Sequence, residues 1–181
     1  MPLLPWIISD ARPLYETTVF TLCGHTGQSQ LNPAKKGQFV YLDAPNWVNV
    51  IALTANDEVV LIEQYRHGTQ QMTLEIPGGM CDAGEGFIAA AERELREETG
   101  GVGTAGQLIG IVDPNPAIQN NRCATILIRN VQLKEQELDG NEEITVKLSP
   151  LIEIPSLIRT GVITHALVVT AFHHLHLLEH S

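Results

Sequence analysis

The sequence predicts an α+β protein, a sandwich with a mixed β-sheet. Four early runs are rich in Val, Ile, Phe, Tyr and Thr, and clusters of Gly, Pro, Asn and Asp separate them, which is typical of strands. Helical patterns follow at two later places. The length of 181 residues fits one domain, or one domain with a small appendage. We expect an amino-terminal β-rich segment at residues 1–43 and the main domain at 44–181.

The early strands are predicted at residues 17–23, 38–42, 47–53 and 58–66. A turn at residues 76–79 follows them. The run Phe87–Thr99 is rich in Ala, Glu and Arg and carries an apolar repeat, which predicts a helix that stops at Gly100. Later strands are predicted at residues 107–112, 123–128 and 143–148, and later helices at 156–160 and 164–179.

The helix at Phe87–Thr99 carries three glutamates, Glu94, Glu97 and Glu98, at a spacing that places them on one face. Carboxylates at this spacing repel one another by about 0.2–0.5 kcal/mol per pair, so a bound cation is expected there. Hard oxygen ligands suit Mg²⁺ or Mn²⁺, usually together with substrate phosphates. The pattern indicates metal-assisted hydrolysis of a phosphate compound.

Eight positions around these glutamates are similar to the Nudix box: Gly79, Glu85, Arg93, Glu94, Leu95, Glu97, Glu98 and Gly100. Gly101 departs from the pattern, because an apolar residue is usual at that position. The alternative is a solvated charged helix, but such a helix needs no fixed glycines. The resemblance implies the Nudix α/β/α sandwich with a mixed sheet.

The resemblance also implies roles for the residues of the box. Glu94 and Glu98 correspond to the main metal ligands, Glu97 shares the site, and the backbone carbonyl of Gly78 is a further candidate. Glu85 and Arg93 would orient the acidic helix, although a surface ion pair is the alternative for Arg93. The metal would neutralise a diphosphate and activate the attacking water.

A general base completes this chemistry, and the sequence leaves its identity open. A box glutamate such as Glu98 is one candidate. Similar enzymes use a glutamate from a loop before the last strand, which corresponds here to residues 138–143. Glu142 is the first choice in that loop and Glu143 the second, and a solvated acidic loop is the alternative.

Residues 63–67 and 74–79 resemble the nucleoside diphosphate sugar pyrophosphatase branch, which includes ADP-ribose pyrophosphatases, and Pro116 agrees with it. That resemblance implies that Arg66 and Glu75 contact the substrate. The expected reaction splits the diphosphate bond of compounds such as ADP-ribose, giving a nucleoside monophosphate and a sugar phosphate. The alternatives are hydrolysis of nucleoside triphosphates or capped RNA ends, and a nucleotide-binding module without catalysis.

The base and the sugar have separate candidate contacts. Trp47 lies in a polar setting where its ring could stack on a base, and Trp6 is the second candidate. Packing in a core or an interface is the alternative for both rings. The polar loop at residues 115–121, through Gln119 and Asn120, suits the hydroxyl groups of a sugar.

The formal net charge of −10 argues against binding to nucleic acid. The three cysteines form no disulfide framework or zinc motif, the amino terminus does not resemble a secretory leader, and no apolar run reaches membrane-spanning length. We therefore expect a cytoplasmic protein. The β-rich segment is hard to bury alone, which predicts a homodimer whose amino-terminal strands complete the partner's site.

Overall fold

A computed structural model describes residues 2–138, 140 and 142–180. Contacts between Cα atoms divide the chain into two compact units. The small unit comprises residues 1–45 and 113–122, and the large unit comprises residues 46–112 and 123–181. The predicted division into an amino-terminal segment at residues 1–43 and a main domain at 44–181 stays a prediction.

The small unit is a three-stranded antiparallel sheet in the order β1-β2-β3. Its strands are β1 (Trp6–Glu16), β2 (Thr21–Ser29) and β3 (Lys36–Asp43). Beyond β3, the loop at residues 113–122 continues the pairing, because Leu42 donates its N–H to Ile118 and accepts one from Asn120. The last residues of β3 are thereby held in place by a distant part of the chain.

Two differences from the predicted strands fall in the small unit. Strand β1 was not predicted, because Pro13 is unfavourable in the interior of a sheet and obscures the strand pattern of the sequence. In the structure β1 is an edge strand, and its pairing with β2 shifts register near Pro13. The strand predicted at residues 17–23 begins too early. Thr17 and Phe20 close a turn instead, with the hydroxyl of Thr17 accepting the N–H of Phe20 at 2.9 Å.

The large unit contains a mixed sheet in the order β7-β4-β9-β8, where β4 and β9 are parallel, and an antiparallel sheet in the order β10-β5-β6. The strands are β4 (Trp47–Ala52), β5 (Glu58–Arg66), β6 (Gln71–Glu75), β7 (Gly78–Met80), β8 (Gln107–Val112), β9 (Cys123–Ile128) and β10 (Ile144–Pro150). The helices are α1 (Phe87–Thr99), α2 (Ile154–Arg159) and α3 (Ala166–Glu179), with a 3₁₀ turn at Leu151–Glu153 before α2.

Alternating side chains of the mixed sheet build a core on each of its faces. On one face, Val50 belongs to a cluster with Leu95 of α1. On the other face, Ile51 belongs to a cluster with Phe172 of α3. Because neighbouring residues of a strand point to opposite faces, β4 serves both cores. The predicted α/β/α sandwich is therefore confirmed.

The predicted bounds of β5, α1, β8 and β9 agree with the structure. Gly100 ends α1 in a left-handed conformation with φ of 65°, as predicted. Strands β6 and β7 were not predicted, because the Gly78–Gly79 pair has low strand propensity and β7 depends on its pairing with β4.

Within the residues that the structure describes, no helix has the length and apolar character needed to cross a membrane.

Candidate active site

Two consecutive glycines bring strand β7 against the acidic face of α1. A Cβ atom on Gly79 would lie 2.5 Å from Oε1 of Glu94, so any larger residue would displace that carboxylate. Gly78 donates its N–H to Oε2 of Glu98 at 2.9 Å. On the other side of Gly78, a Cβ atom would meet the backbone carbonyl of Val48 and lie 3.1 Å from Oδ1 of Asn49. The glycines therefore permit the close approach of helix and strand.

Glu98 is buried, with only 4% of the residue exposed, and few donors compensate the charge of its carboxylate. Burial raises the pKa of Glu98 to about 8. The N–H of Gly78 and the charge of Arg66 oppose this rise, and the carboxylates of Glu94 and Glu142 add to it. Burial also raises the pKa of Glu94, which Arg93 partly offsets. A cation at this position would relieve the repulsion between these groups.

Arg93 ties the helix to the loop that precedes it. Its guanidinium contacts Glu85 through Nε at 3.1 Å and Nη2 at 3.0 Å, and Nη2 also donates to the carbonyl of Met80 at 2.8 Å. Nη1 donates to both Glu94 and Glu97 at 2.9 Å. A single guanidinium nitrogen therefore bridges the two carboxylates. These contacts are those expected of an orienting group, and the role itself stays a prediction.

Arg66 and Glu75, both predicted to contact the substrate, bind each other. Nε and Nη2 of Arg66 donate to the two oxygens of Glu75 at 2.9 and 2.8 Å. Thr73 donates to Oε1 at 2.7 Å, and Nδ1 of His165 lies 2.9 Å from Oε2. Burial alone would raise the pKa of Glu75, but these hydrogen bonds hold it well below its ordinary value. Glu75 is thus an ionised, fully compensated carboxylate.

Thr73 and His165 were not identified from the sequence. His165 lies 90 residues beyond Glu75 and immediately precedes α3. No local spacing links the two residues, so no sequence signal of a single chain could have found the contact. Arg66 in turn lies close enough to Glu98 to lower its pKa, which joins this network to the acidic helix.

Of the two candidate bases from the later loop, Glu142 lies near the acidic helix. Its carboxylate raises the pKa values of both Glu94 and Glu98. Glu142 and Glu143 are both exposed, and Glu143 immediately precedes β10. Asp139 and Asn141, which belong to the same predicted loop, lie outside the described residues.

The candidate contacts to base and sugar are distributed over both units. Trp47 belongs to the large unit, where it is paired with Met80 and Cys123 and is partly buried. Trp6 belongs to the small unit and stands edge-on to Phe39, with ring centroids 5.6 Å apart. The roles of both rings stay predictions.

Gln119 and Asn120 belong to the small unit. The amide of Asn120 donates to Oδ1 of Asp43 at 2.6 Å and accepts the N–H of Ala44 at 3.2 Å. Gln119 donates its backbone N–H to the carbonyl of Asn115 at 2.8 Å. Since the Asn120 amide already holds the end of β3, Gln119 is the better candidate to contact a sugar.

The chemistry of the donors suits a hard divalent cation, because Glu94 and Glu98 are neighbouring carboxylates on one face with raised pKa values. Across the described ranges, however, no three His, Cys, Asp or Glu side chains are arranged to hold a metal ion. Glu94 and Glu97 face Arg93 instead. Binding of a metal would therefore require these side chains to rearrange.

The family model of the NUDIX domain matches residues 45–172, and the chain belongs to the Nudix family. It is similar to the ADP-ribose pyrophosphatase of Bacillus subtilis, with 27% identity over 137 residues that cover 75% of this chain and 74% of that protein. It is also similar to the ADP-sugar pyrophosphatase of Mus musculus, with 30% identity over 141 residues that cover 74% of this chain and 61% of that protein.

A solved structure described as an ADP compounds hydrolase superimposes with a TM-score of 0.85, covering 97% of this chain and 95% of that one. At 20% identity this likeness shows the fold. The chain spans 59% of the length of a Nudix hydrolase of Schizosaccharomyces pombe and 40% of an ADP-ribose pyrophosphatase of Saccharomyces cerevisiae. The predicted membership of the Nudix family is confirmed.

Proposed function

We propose that this protein is a divalent-metal-dependent hydrolase of nucleoside diphosphate sugars such as ADP-ribose. The observation that carries the proposal is the buried carboxylate of Glu98 beside the partly buried carboxylate of Glu94, both against Gly78–Gly79 and with Arg66 nearby. The names of the relatives from Bacillus subtilis and Mus musculus support the same substrate class. The products would be a nucleoside monophosphate and a sugar phosphate.

Glu94 and Glu98 would hold Mg²⁺ or Mn²⁺, with Glu97 and the carbonyl of Gly78 as further ligands. A divalent cation held there supplies positive charge against the diphosphate at the point of attack. Because Nη1 of Arg93 contacts both Glu94 and Glu97, we propose that Arg93 shifts toward Glu85 when the cation binds. Arg93 would then orient the helix through Glu85.

Glu142 would accept the proton of the attacking water, since its carboxylate lies near those of Glu94 and Glu98. Glu143 is the second choice and Glu98 the third. A base must come within hydrogen-bond reach of the water, directly or through one more water molecule. Glu142 and Glu143 can be ranked by comparing their Glu→Gln variants, because the amide keeps the size of the side chain but accepts no proton, whereas Glu98→Gln would also remove a metal ligand.

Arg66 would bind a phosphate through the edge of the guanidinium that Glu75 does not occupy. Its Nε and Nη2 atoms are directed at Glu75, and 43% of the side chain is exposed. Glu75 is 3% exposed. We therefore propose that Glu75 acts through Arg66 rather than by touching the substrate. A planar guanidinium held in this way is well suited to phosphate recognition.

The exposed sheet of the small unit supports a homodimer. Every residue of β1 is exposed, including large apolar side chains that would ordinarily be covered: Trp6, Ile7, Ile8, Leu14 and Tyr15. Exposed apolar side chains on an edge strand favour association. We propose that a second copy of the chain covers this sheet and that the partner's sheet completes the active site.

Light scattering tests the dimer, together with Ile8→Glu, which places a charge among the exposed apolar residues near the start of β1. We expect the wild type to be a dimer and the variant to dissociate and lose activity. Lys36→Glu, at the exposed start of β3, is the matched control. A fully active monomer would contradict the proposal.

Cys23, Cys81 and Cys123 are all buried free thiols, which supports the proposed cytoplasmic location.

A substrate panel tests the reaction. Purified protein would be incubated with Mg²⁺ or Mn²⁺ and with ADP-ribose, GDP-mannose, ATP or capped RNA, and the products would be identified by mass spectrometry. We expect AMP and ribose phosphate from ADP-ribose, no reaction after chelation of the metal, and little hydrolysis of ATP or capped RNA. Preferential hydrolysis of ATP or of capped RNA would overturn the proposed substrate class, and metal-dependent binding without turnover would indicate a binding module.

A further inference from the structure

Residues 131–138 lie beside the carboxyl end of α1. Their backbone N–H groups donate to carbonyl groups that the end of a helix leaves without partners. Lys134 donates its N–H to the carbonyl of Gly100 at 3.0 Å, and Glu137 donates to the carbonyl of Glu97 at 2.9 Å. A Cβ atom on Gly100 would collide with the carbonyl of Lys134, so glycine is required for this approach. We call residues 131–138 the helix-end segment.

Gln136 extends these contacts from the backbone to a side chain. Its Nε2 atom donates to the backbone carbonyl of Glu98 at 2.6 Å and to the backbone carbonyl of Ile144 at 3.3 Å. Glu98 lies in the last turn of α1, and Ile144 is the first residue of β10. One amide therefore joins the end of the acidic helix to the start of the last strand.

Glu142 lies two residues before Ile144, so the hydrogen bond from Gln136 restrains the backbone beside the proposed base. The same Nε2 atom also holds the backbone carbonyl of Glu98 near the end of α1. Gln136 therefore restrains the separation between the backbone of Glu98 and the backbone that carries Glu142.

We infer that Gln136 is a positioning residue for hydrolysis, which acts by holding Glu142 at a fixed distance from Glu98. The inference rests on the proposed function, since Glu142 serves there as the base. Among the described residues, the Gln136 side chain donates to the backbone of Glu98 and of Ile144 and not to Arg66, which would bind the substrate phosphate. Gln136 should therefore affect the position of the base and not the binding of the substrate. Its loss should therefore lower kcat and leave KM largely unchanged.

Gln136→Met tests the inference, because Met has a similar length but no N–H group. We expect kcat for ADP-ribose to fall by about 10-fold or more, with KM within about 2-fold of the wild type, as is typical of lost support around a reacting group. Gln132→Met is the matched control. Gln132 is exposed in the same segment and pairs with Val102 through its backbone, so this change should leave kcat unaltered.

A double-mutant cycle shows whether Gln136 acts through Glu142. In a Glu142→Gln background, adding Gln136→Met should lower kcat by no more than about 2-fold, because the base is already absent. An equal fall in both backgrounds would overturn the inference and leave the proposed function intact. If Gln136→Met does not fold, Gln136→Asn, which keeps the amide but shortens the side chain, enters the same cycle.

Amide hydrogen exchange separates this inference from the proposed function, because it requires no activity. Gln136→Met should accelerate exchange at Glu137 and at residues 142–144, whereas Gln132→Met should not. Unchanged exchange in Gln136→Met would overturn the restraint, even in an active enzyme. If exchange is faster in Gln136→Met but the wild type hydrolyses none of the panel, the restraint is upheld, while the proposed function and the role in hydrolysis are both rejected.

Discussion

Glu75 and Glu98 are both buried carboxylates of the large unit, but their surroundings differ. Both oxygens of Glu75 accept hydrogen bonds, from Arg66, Thr73 and His165. Glu98 accepts the N–H of Gly78, and of the nearby charges the carboxylates of Glu94 and Glu142 raise its pKa while Arg66 lowers it. The pKa of Glu75 is held below its ordinary value, whereas burial raises the pKa of Glu98 to about 8.

This contrast separates two uses of a buried carboxylate. Glu75 is compensated within the protein, so its charge can hold Arg66 in one orientation. Glu98 is not compensated, and burying such a group costs free energy unless a cation joins it. We infer that the surroundings of Glu75 support the fold, while those of Glu98 favour binding of a metal at the expense of stability.

The largest expected effect is that of Glu98→Gln on turnover. We expect kcat to fall by more than about 100-fold, since even groups that only support metal ligands contribute about 10–100-fold. Stability in the absence of metal should not decrease, because the amide oxygen can still accept the N–H of Gly78 and the amide cannot ionise in the buried site. Steady-state kinetics and urea unfolding measure the two quantities.

The control for that experiment is Glu92→Gln, the same change on the same helix. Glu92 is exposed and accepts the N–H of Gly106 at 3.1 Å, which an amide oxygen can also do. Its kcat should match that of the wild type. A folded Glu98→Gln protein with wild-type kcat would remove Glu98 from the proposed site.

The same substitution at Glu75 should have the opposite effect on stability. Glu75→Gln leaves the donors around it without an anion, and we expect the free energy of unfolding at pH 7 to fall by about 1–3 kcal/mol. The partial exposure of Arg66 lets water replace some of the lost interaction. KM for ADP-ribose should rise, because Arg66 is no longer held. Urea unfolding that shows equal stability for variant and wild type would refute the comparison.

The stabilisation by Glu75 should depend on pH. Because its folded pKa lies below the ordinary value of 4.5, the ionised form stabilises the fold. This contribution is fully present above the ordinary pKa and is lost as the pH falls through the folded value. The difference in unfolding free energy between wild type and Glu75→Gln should thus be constant from pH 6 to 8 and shrink below about pH 5. A difference that widens on acidification would contradict this sign.

The smallest expected effect comes from removing a single donor. Thr73→Val keeps the shape of the side chain and removes the hydrogen bond to Oε1 of Glu75, which should lower the unfolding free energy by about 0.5–1.5 kcal/mol. Thr145→Val on β10 is the control, because Thr145 is exposed and should change stability by less than about 0.5 kcal/mol. Equal losses in the two variants would show that Glu75 does not depend on Thr73.

Features that rest on local spacing could be predicted from the sequence. The bounds of α1, its stop at Gly100 and the acidic face of Glu94, Glu97 and Glu98 follow from helical periodicity and from the conformational freedom of glycine. The same holds for β5, because its continuous run of apolar residues and the turn residues before it are close together in the sequence. The chain's membership of the Nudix family could be predicted from the residues of the box alone.

Other features required the tertiary structure, because they join parts of the chain that no spacing relates. The bond between His165 and Glu75 spans 90 residues, and that between Gln136 and Glu98 spans 38. Strand β7 exists because β4 pairs with it, since its glycines have little strand propensity of their own. The sequence by itself thus determined which carboxylates the protein presents on α1, whereas only the tertiary structure decided which carboxylates are compensated, because the donors arrive from distant segments.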